Sequence, residues 1–129
     1  AYRRAYGVLP SFEDAWRSGL YYMACGRVED AGGAFTECLR RRPGDWQVMT
    51  ELGNALTGLN QFARADSVLE KAIAANPAAA APRIHLARSL AMEGRGAEAR
   101  AMLESARGRL EPKSPLQADF RKLDENLPK

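Results

Sequence analysis

The sequence predicts an all-α fold in which three helical hairpins stack as a solenoid and a further helix closes the C-terminal end. Three observations predict it: residue types recur at a spacing of 34, apolar residues recur at helical spacing in paired segments, and turn residues separate those segments. Since a period of this length indicates stacked supersecondary units, the 129 residues are expected to form one repeat domain.

Columns of like residues carry the period. Gly19, Gly53 and Ala87 lie 34 residues apart, and small residues at these places would let two antiparallel helices approach closely. Four more columns have the same spacing: Tyr22, Leu56 and Leu90; Ala31, Ala65 and Ala99; Phe35, Leu69 and Leu103; and Cys38, Ala72 and Ala106. Five columns in threefold register indicate three structural repeats.

Each repeat is predicted to contain two helices separated by a tight turn. Gly26, Asn60 and Gly94 stand between the two segments, where one helix must end and the chain must reverse. Pro43 and Pro77 follow the second segment, where a helix cannot continue. The predicted helices are 12–25, 28–42, 46–58, 62–75, 81–92 and 96–110.

A seventh helix is predicted over 115–126. Ser114 is its expected N-cap, and Pro115 suits its first turn. One face carries an apolar stripe made of Leu116, Phe120, Leu123 and Leu127. The other face is polar, so the helix is expected to cover the last repeat as a solubilising cap.

This pattern resembles the tetratricopeptide repeat family from Phe12 to about Glu111. In the three copies the resemblance rests on Gly19, Tyr22, Gly26, Ala31, Phe35, Leu39 and Pro43; on Leu52, Gly53, Leu56, Ala65, Leu69, Ala72, Ile73 and Pro77; and on Leu86, Ala87, Leu90, Gly94, Ala99, Leu103 and Ala106. The family's tryptophan near the start of each copy is replaced by Ala15, Met49 and Arg83.

The resemblance implies a right-handed α-solenoid of three tetratricopeptide helix–turn–helix repeats plus a C-terminal capping helix. The implied parts of this single domain are repeat 1 at 12–45, repeat 2 at 46–79, repeat 3 at 80–113 and the capping helix at 114–127.

The first residues, 1–11, are expected to be the tail of a truncated preceding repeat, because Tyr2, Ala5 and Pro10 have the offsets of the second helix of repeat 2. An ordinary disordered terminus is the alternative. The sequence begins at Ala1 without methionine, so we expect a piece of a longer protein. Further repeats and a catalytic domain elsewhere in that protein both remain open.

Composition argues against several kinds of site. A single histidine, His85, cannot build a multi-histidine metal site, and two cysteines are too few for a four-cysteine zinc site or a disulfide framework. The sequence contains neither a Gly-x-Ser-x-Gly elbow nor a phosphate-binding Gly-x-x-x-x-Gly-Lys-Ser/Thr loop. We therefore expect no enzyme activity, no metal and no cofactor.

Cys25 and Cys38 are expected to remain unpaired, because they fall near opposite ends of the first hairpin, beyond the ~7 Å Cα separation that a disulfide tolerates. Free thiols favour a reducing compartment such as the cytoplasm, and the sequence shows no targeting signal. High alanine, arginine and glycine usage suggests a bacterial source.

Nucleic acids and membranes are not expected partners. The net charge of +3 is small, and acids are interspersed among the basic residues. The dense basic run at 40–42 is expected to be a solvated helix end. No apolar run approaches the ~20 residues that a membrane-spanning helix needs.

In the resembling family, the first helix of each repeat lines a concave face that binds a protein or peptide partner. Carrying those positions over gives the candidate groove residues: Trp16, Arg17, Leu20, Met23, Thr50, Asn54, Ile84, His85, Arg88 and Met92.

Several candidates suggest specific roles. Trp16, Leu20 and Met23 would form an exposed apolar patch, or they would pack on neighbouring helices. Asn54 would bond a peptide backbone and Arg88 a ligand carboxylate, although both also suit solvated polar positions. His85 would be an exposed groove or surface residue.

Chaperone-binding members of the family hold a terminal carboxylate with basic and asparagine side chains. At the matching places this sequence has Trp16, Leu20, Glu51, Ala81 and His85. Since Glu51 would repel a carboxylate, we expect no such clamp.

The sequence therefore predicts a non-catalytic scaffold that binds a peptide or partner segment in its concave groove. One alternative is an accessory domain that recruits substrates within a larger enzyme or assembly protein. Another is self-association through an open face of the first repeat.

Overall fold

The computed structural model describes residues 11–128, and within them the chain is entirely helical, as predicted. The seven helices of this part are α1 (Phe12–Ala24), α2 (Val28–Arg41), α3 (Trp46–Gly58), α4 (Phe62–Ala75), α5 (Ala81–Met92), α6 (Gly96–Arg107) and α7 (Gln117–Asn126). The tail predicted at 1–11 lies outside the described residues except for Ser11, whose hydroxyl caps α1 by accepting from the backbone N–H of Asp14. None of these helices combines the length and the apolarity needed to cross a membrane.

The turns inside the hairpins are built as predicted. Gly26, Asn60 and Gly94 have φ angles of 75°, 61° and 84°, which lie in the left-handed region. Glycine adopts this region without strain, and asparagine tolerates it better than most residues. The same backbone conformation therefore reverses the chain in every repeat.

The prediction was wrong about the connection between α6 and α7. Helix α6 ends at Arg107 rather than at 110, because the chain then turns and the side chain of Arg109 donates to the carbonyls of Pro77 and Ser105. The hydroxyl of Ser114 accepts from the backbone N–H of Leu116 and so stabilises a turn before α7 instead of capping the helix.

Helix contacts confirm a stack of hairpins. Along α1 to α6, each helix packs against the next in sequence, and α3 also packs against α5, so that first helices lie side by side. Helix α7 packs on both α5 and α6. Each of these contacts joins a helix to its sequence neighbour or to the first helix of an adjacent hairpin. Such contacts are typical of a solenoid rather than of a closed bundle.

The small-residue column allows this close packing. A Cβ atom added at Gly53 would lie 2.6 Å from Cδ2 of Leu69, and one added at Gly19 would lie 2.7 Å from Cδ1 of Phe35. Both distances are far shorter than van der Waals contact, so glycine at these places lets the second helix seat a large side chain against the first.

Helix α7 is anchored to the last repeat by apolar burial and by one arginine. Phe120 and Leu127 are buried in the same cluster as the core of α5 and α6. Arg100 on α6 donates to the backbone carbonyls of Asp124, Leu127 and Pro128, which satisfies acceptors left free at the end of α7.

The two cysteines are both free, as predicted: Cys25 is exposed and Cys38 is buried. Burial raises the pKa of the Cys38 thiol to about 11, and the nearby carboxylates of Asp45 and Glu37 add to that effect. Cys38 is therefore a small, unreactive core residue.

Candidate functional site

A pocket of about 340 Å³ lies between the first helices α3 and α5 and the capping helix α7. Its lining residues are Asn54, Ile84, His85, Arg88, Asp119, Lys122, Leu123 and Asn126. The structure thus brings together four of the ten residues predicted for the groove, all of them from repeats 2 and 3.

Arg88 is one of the residues that line this pocket. Its Nη2 donates to Oδ1 of Asn54 at 2.5 Å and to the backbone carbonyl of Asn54 at 3.3 Å. Burial lowers the pKa of Arg88, while the carboxylate of Asp119 acts in the opposite direction. Within residues 11–128 no carboxylate forms an ion pair with Arg88, so the pocket holds a cation that a ligand carboxylate would neutralise.

His85 lies beside Arg88 and is half-buried, which corrects the expectation of an exposed residue. Burial and the neighbouring Arg88 lower the pKa of His85 to about 4, although Asp119 opposes them. At neutral pH His85 is therefore an uncharged hydrogen-bonding group and contributes no positive charge to the pocket.

A second pocket of about 370 Å³ adjoins the first and shares Arg88, Leu123 and Asn126 with it. Here Ala91 and Leu127 add apolar surface, and so does Met92, whose side chain is 48% exposed. We call the two pockets together the groove. It is polar around Arg88 and apolar towards Met92.

The first-repeat candidates do not line this groove. The Trp16 ring lies 6.2 Å from the Phe12 ring and 5.6 Å from the Phe35 ring, and Met23 packs on the same core cluster. Packing on neighbouring helices, the alternative left open for these two residues, is therefore what the structure has. Leu20 remains 40% exposed, and Arg17 is also exposed.

Two candidates from the next repeats are buried. Thr50 is buried, donates its hydroxyl to the carbonyl of Trp46 in its own helix, and is not among the lining residues of the two pockets. Ile84 is among the lining residues of the first pocket but is almost inaccessible, because it packs in the core of repeat 3.

Sequence reasoning missed the contribution of α7. Asp119, Lys122 and Asn126 were assigned to no site, yet each faces the groove. The missed signal is the period itself: Asp119 follows His85 by 34 residues and Lys122 follows Arg88 by 34. Helix α7 occupies the register of a first helix, and so it extends the groove that α3 and α5 begin.

The places of the chaperone-type clamp carry no cation at neutral pH. Trp16 and Leu20 are apolar, Ala81 has no polar side chain, and His85 is uncharged. Glu51 is partly buried, which raises the pKa of its carboxyl group, and no basic side chain forms an ion pair with it among residues 11–128.

Metal-binding side chains do not cluster in the described part of the chain. No group of three or more histidine, cysteine, aspartate or glutamate residues there is placed to hold a metal ion. The chemistry that the groove offers is hydrogen bonding, ion pairing and apolar contact.

Comparison with known proteins gives a consistent picture. Residues 58–118 match the family model for the tetratricopeptide repeat. The TPR2B domain of yeast Sti1, solved as a complex with pHsp70, is 25% identical with a TM-score of 0.78, and the match covers 88% of this chain and 90% of that one. A search of curated proteins found no match.

Two structures of the Yersinia enterocolitica type III secretion translocator chaperone SycD share the fold. One, in complex with a peptide of the translocator YopD, is 18% identical with a TM-score of 0.77 and covers 88% of this chain and 86% of that one. The other, described as an alternative dimer, is 19% identical with a TM-score of 0.79 and has the same coverage.

Proposed function

We propose that this chain, whose residues 58–118 match the family model for the tetratricopeptide repeat, is a non-catalytic interaction module that holds a segment of a partner protein in the groove of α3, α5 and α7. The supporting observation is Arg88, a partly buried cation without an ion pair in residues 11–128, at the junction of two pockets. Asn54 accepts hydrogen bonds from Arg88 and the Asp119 carboxylate lies in the same pocket lining, but no carboxylate of the described chain makes an ion pair with Arg88, so a ligand carboxylate would add the direct ion pair that it lacks.

The groove favours a ligand that carries an acidic residue next to an apolar one. A carboxylate would accept hydrogen bonds from the N–H groups of Arg88 that Asn54 does not use, and Lys122 would add a second positive charge. The neighbouring apolar side chain would pack against Met92, Ala91 and Leu123. The structures solved with a YopD peptide and with pHsp70 share this fold, which supports the proposal of a polypeptide ligand.

Selection of peptides from a random displayed library on the purified domain tests the groove. We expect the selected peptides to be enriched in acidic residues and to shift backbone amide resonances of α3, α5 and α7. Arg88→Gln is expected to weaken binding by about tenfold, the effect of losing one charge-assisted contact. Titration by nuclear magnetic resonance measures both the site and the affinity.

Arg121→Gln is the matched control, because Arg121 is exposed on α7 and does not line the groove. Unchanged binding by Arg88→Gln, or shifts confined to α2, α4 and α6, would contradict the proposal. A peptide ending in Glu-Glu-Val-Asp serves as a second comparison. Because the clamp positions lack cations, we expect it to show no micromolar binding.

Self-association through α1 is a second candidate, favoured by one column of residues. Ala55 and Ser89 are buried against the preceding repeat, and the Ser89 hydroxyl donates to Asp66 of α4 at 2.7 Å. Tyr21, the equivalent residue of α1, is 63% exposed, and Leu20 beside it is also exposed. A large apolar side chain at an open stacking position suits contact with a second copy.

Sedimentation equilibrium over a concentration series tests this candidate. We expect a reversible dimer that Tyr21→Ser dissociates, since serine occupies the same column in repeat 3. A chain that stays monomeric at high micromolar concentration, or a dimer that Tyr21→Ser leaves intact, would exclude self-association through this face.

A further inference from the structure

A third pocket, of about 490 Å³, lies outside the groove, at the edge of the solenoid where α3 and α5 begin and α4 and α6 end. We call it the edge pocket. Trp46, Asn76 and the alanines at 78–81 form one wall. The connection between α6 and α7 forms the other, with Arg109, Lys113 and Leu116 among its lining residues.

Two guanidinium groups meet beside this pocket. Arg109 donates from Nε to the carbonyl of Pro77 at 2.7 Å and from Nη1 to the carbonyl of Ser105 at 2.5 Å. Arg83 donates to the same Pro77 carbonyl at 3.3 Å and to the hydroxyl of Ser105 at 3.1 Å. Because they share these partners, the two positive charges are held next to each other.

This pair of cations is not neutralised within residues 11–128. Neither Arg83 nor Arg109 forms an ion pair there, and Nε of Arg83 is buried without a hydrogen-bond partner. Burial and the charge of Arg109 lower the pKa of Arg83, as expected for like charges in contact. Lys113 adds a third positive charge, and Glu111 is the one acid in the pocket lining.

The donors of these arginines are incompletely used. A guanidinium has five N–H groups, and Arg109 uses two of them in hydrogen bonds to the backbone carbonyls of Pro77 and Ser105. Its side chain is exposed, so the remaining donors are accessible from the pocket. A carboxylate is the group whose geometry matches such a fork of donors.

The remaining walls select for an apolar neighbour. The alanines at 78–81, Leu110 and Leu116 offer apolar surface, and the Trp46 ring adds an aromatic one. We propose that the edge pocket binds an acidic side chain of a partner polypeptide, with an adjacent apolar residue packed against Trp46 and the alanines. This site is separate from the groove and would give the domain a second point of attachment.

The proposal also gives a role to a departure from the family pattern. Arg83 stands where the family has tryptophan, and Ala15 and Met49 stand there in the other repeats. Only in repeat 3 does this place supply a charge, and it does so beside Arg109.

The indole N–H resonances of the two tryptophans provide the test, because Trp46 lines the edge pocket and Trp16 packs in the first repeat. The probe is the capped peptide acetyl-Gly-Glu-Leu-Glu-Leu-Gly-amide. We expect it to shift the Trp46 resonance saturably and to leave Trp16 unchanged. The peptide with glutamine in place of both glutamates is expected to bind at least about tenfold more weakly.

Lys113→Gln is the preferred variant, since Lys113 makes no hydrogen bond or ion pair with the described residues and its loss leaves their packing intact. We expect Lys113→Gln to weaken peptide binding severalfold and Arg109→Gln to weaken it further. Arg121→Gln and Arg88→Gln are expected to leave the peptide-induced shift of the Trp46 resonance unchanged. Survival of the shift in Arg88→Gln separates this site from the groove.

Three results would overturn the proposal. The first is no shift of the Trp46 resonance at millimolar peptide, and the second is a glutamine peptide that binds as tightly as the glutamate peptide. The third is that Lys113→Gln and Arg109→Gln both bind the glutamate peptide as tightly as the unsubstituted chain does. A competition experiment with inorganic phosphate completes the test. If phosphate alone displaces the peptide at similar concentration, the pocket is a phosphate site and the assignment to acidic side chains is wrong.

Discussion

Phe120→Ala is expected to lower the free energy of unfolding by about 3–5 kcal/mol, the usual cost of removing a buried phenylalanine ring. Phe120 is 6% exposed and shares a cluster with Leu90 and Leu103. Its loss opens a cavity between α7 and repeat 3, and the guanidinium of Arg107, 4.9 Å above the ring, loses its contact as well. Urea denaturation followed by circular dichroism measures the change.

The effect should be concentrated in α7. Amide hydrogen exchange is expected to show lost protection in α7 while α1 to α4 keep theirs, because local opening follows the contacts that hold an element. Arg121→Ala, on the exposed face of the same helix, should change stability by no more than about 0.5 kcal/mol. An unfolding free energy unaffected by Phe120→Ala would mean that α7 is not part of the core.

Gly53→Ala is expected to destabilise the chain by about 1–3 kcal/mol, although alanine is the better helix former. The added methyl group would overlap the side chain of Leu69, which is fully buried and cannot move into open space. Either Leu69 leaves its rotamer or α3 and α4 separate. The measurement is again the midpoint and slope of urea denaturation.

Gly33→Ala is the matched control. Gly33 is exposed within α2, and a Cβ added there meets no atom within 4 Å. This substitution is expected to stabilise the chain by about 0.5–1 kcal/mol, because glycine costs more backbone entropy than alanine in a helix. If Gly53→Ala and Gly33→Ala changed the free energy of unfolding in the same direction, close packing would not explain the column of small residues.

The hairpins could be predicted from the sequence because their signals are local. Apolar spacing sets the helices, and Gly26, Asn60 and Gly94 set the turns, where the structure finds positive φ angles. The connection from α6 to α7 could not be predicted in the same way. Its course depends on Arg109 reaching Pro77, a contact between residues 32 apart in sequence.

The face that carries the groove could be predicted from the repeat, but the exposed side chains could not. Trp16, Thr50 and Ile84 share one column of the period, and all three are partly or fully buried. Burial in this column depends on how adjacent first helices are rotated against each other. That rotation is a tertiary property, and it leaves no trace in the spacing of 34.

The column of residues four places further along has a different consequence. It reads Leu20, Asn54, Arg88 and Lys122 from α1 to α7, and Asn54 and Arg88 are joined by a hydrogen bond. The series passes from hydrocarbon through amide to cation, so the two ends of this row of side chains are chemically unlike, and the proposed groove occupies its polar end. An extended partner bound along this row would have a preferred direction. Its acidic end would lie near Arg88 and Lys122, towards the C-terminus of this domain, and in the reversed alignment the ion pair with these cations would not form.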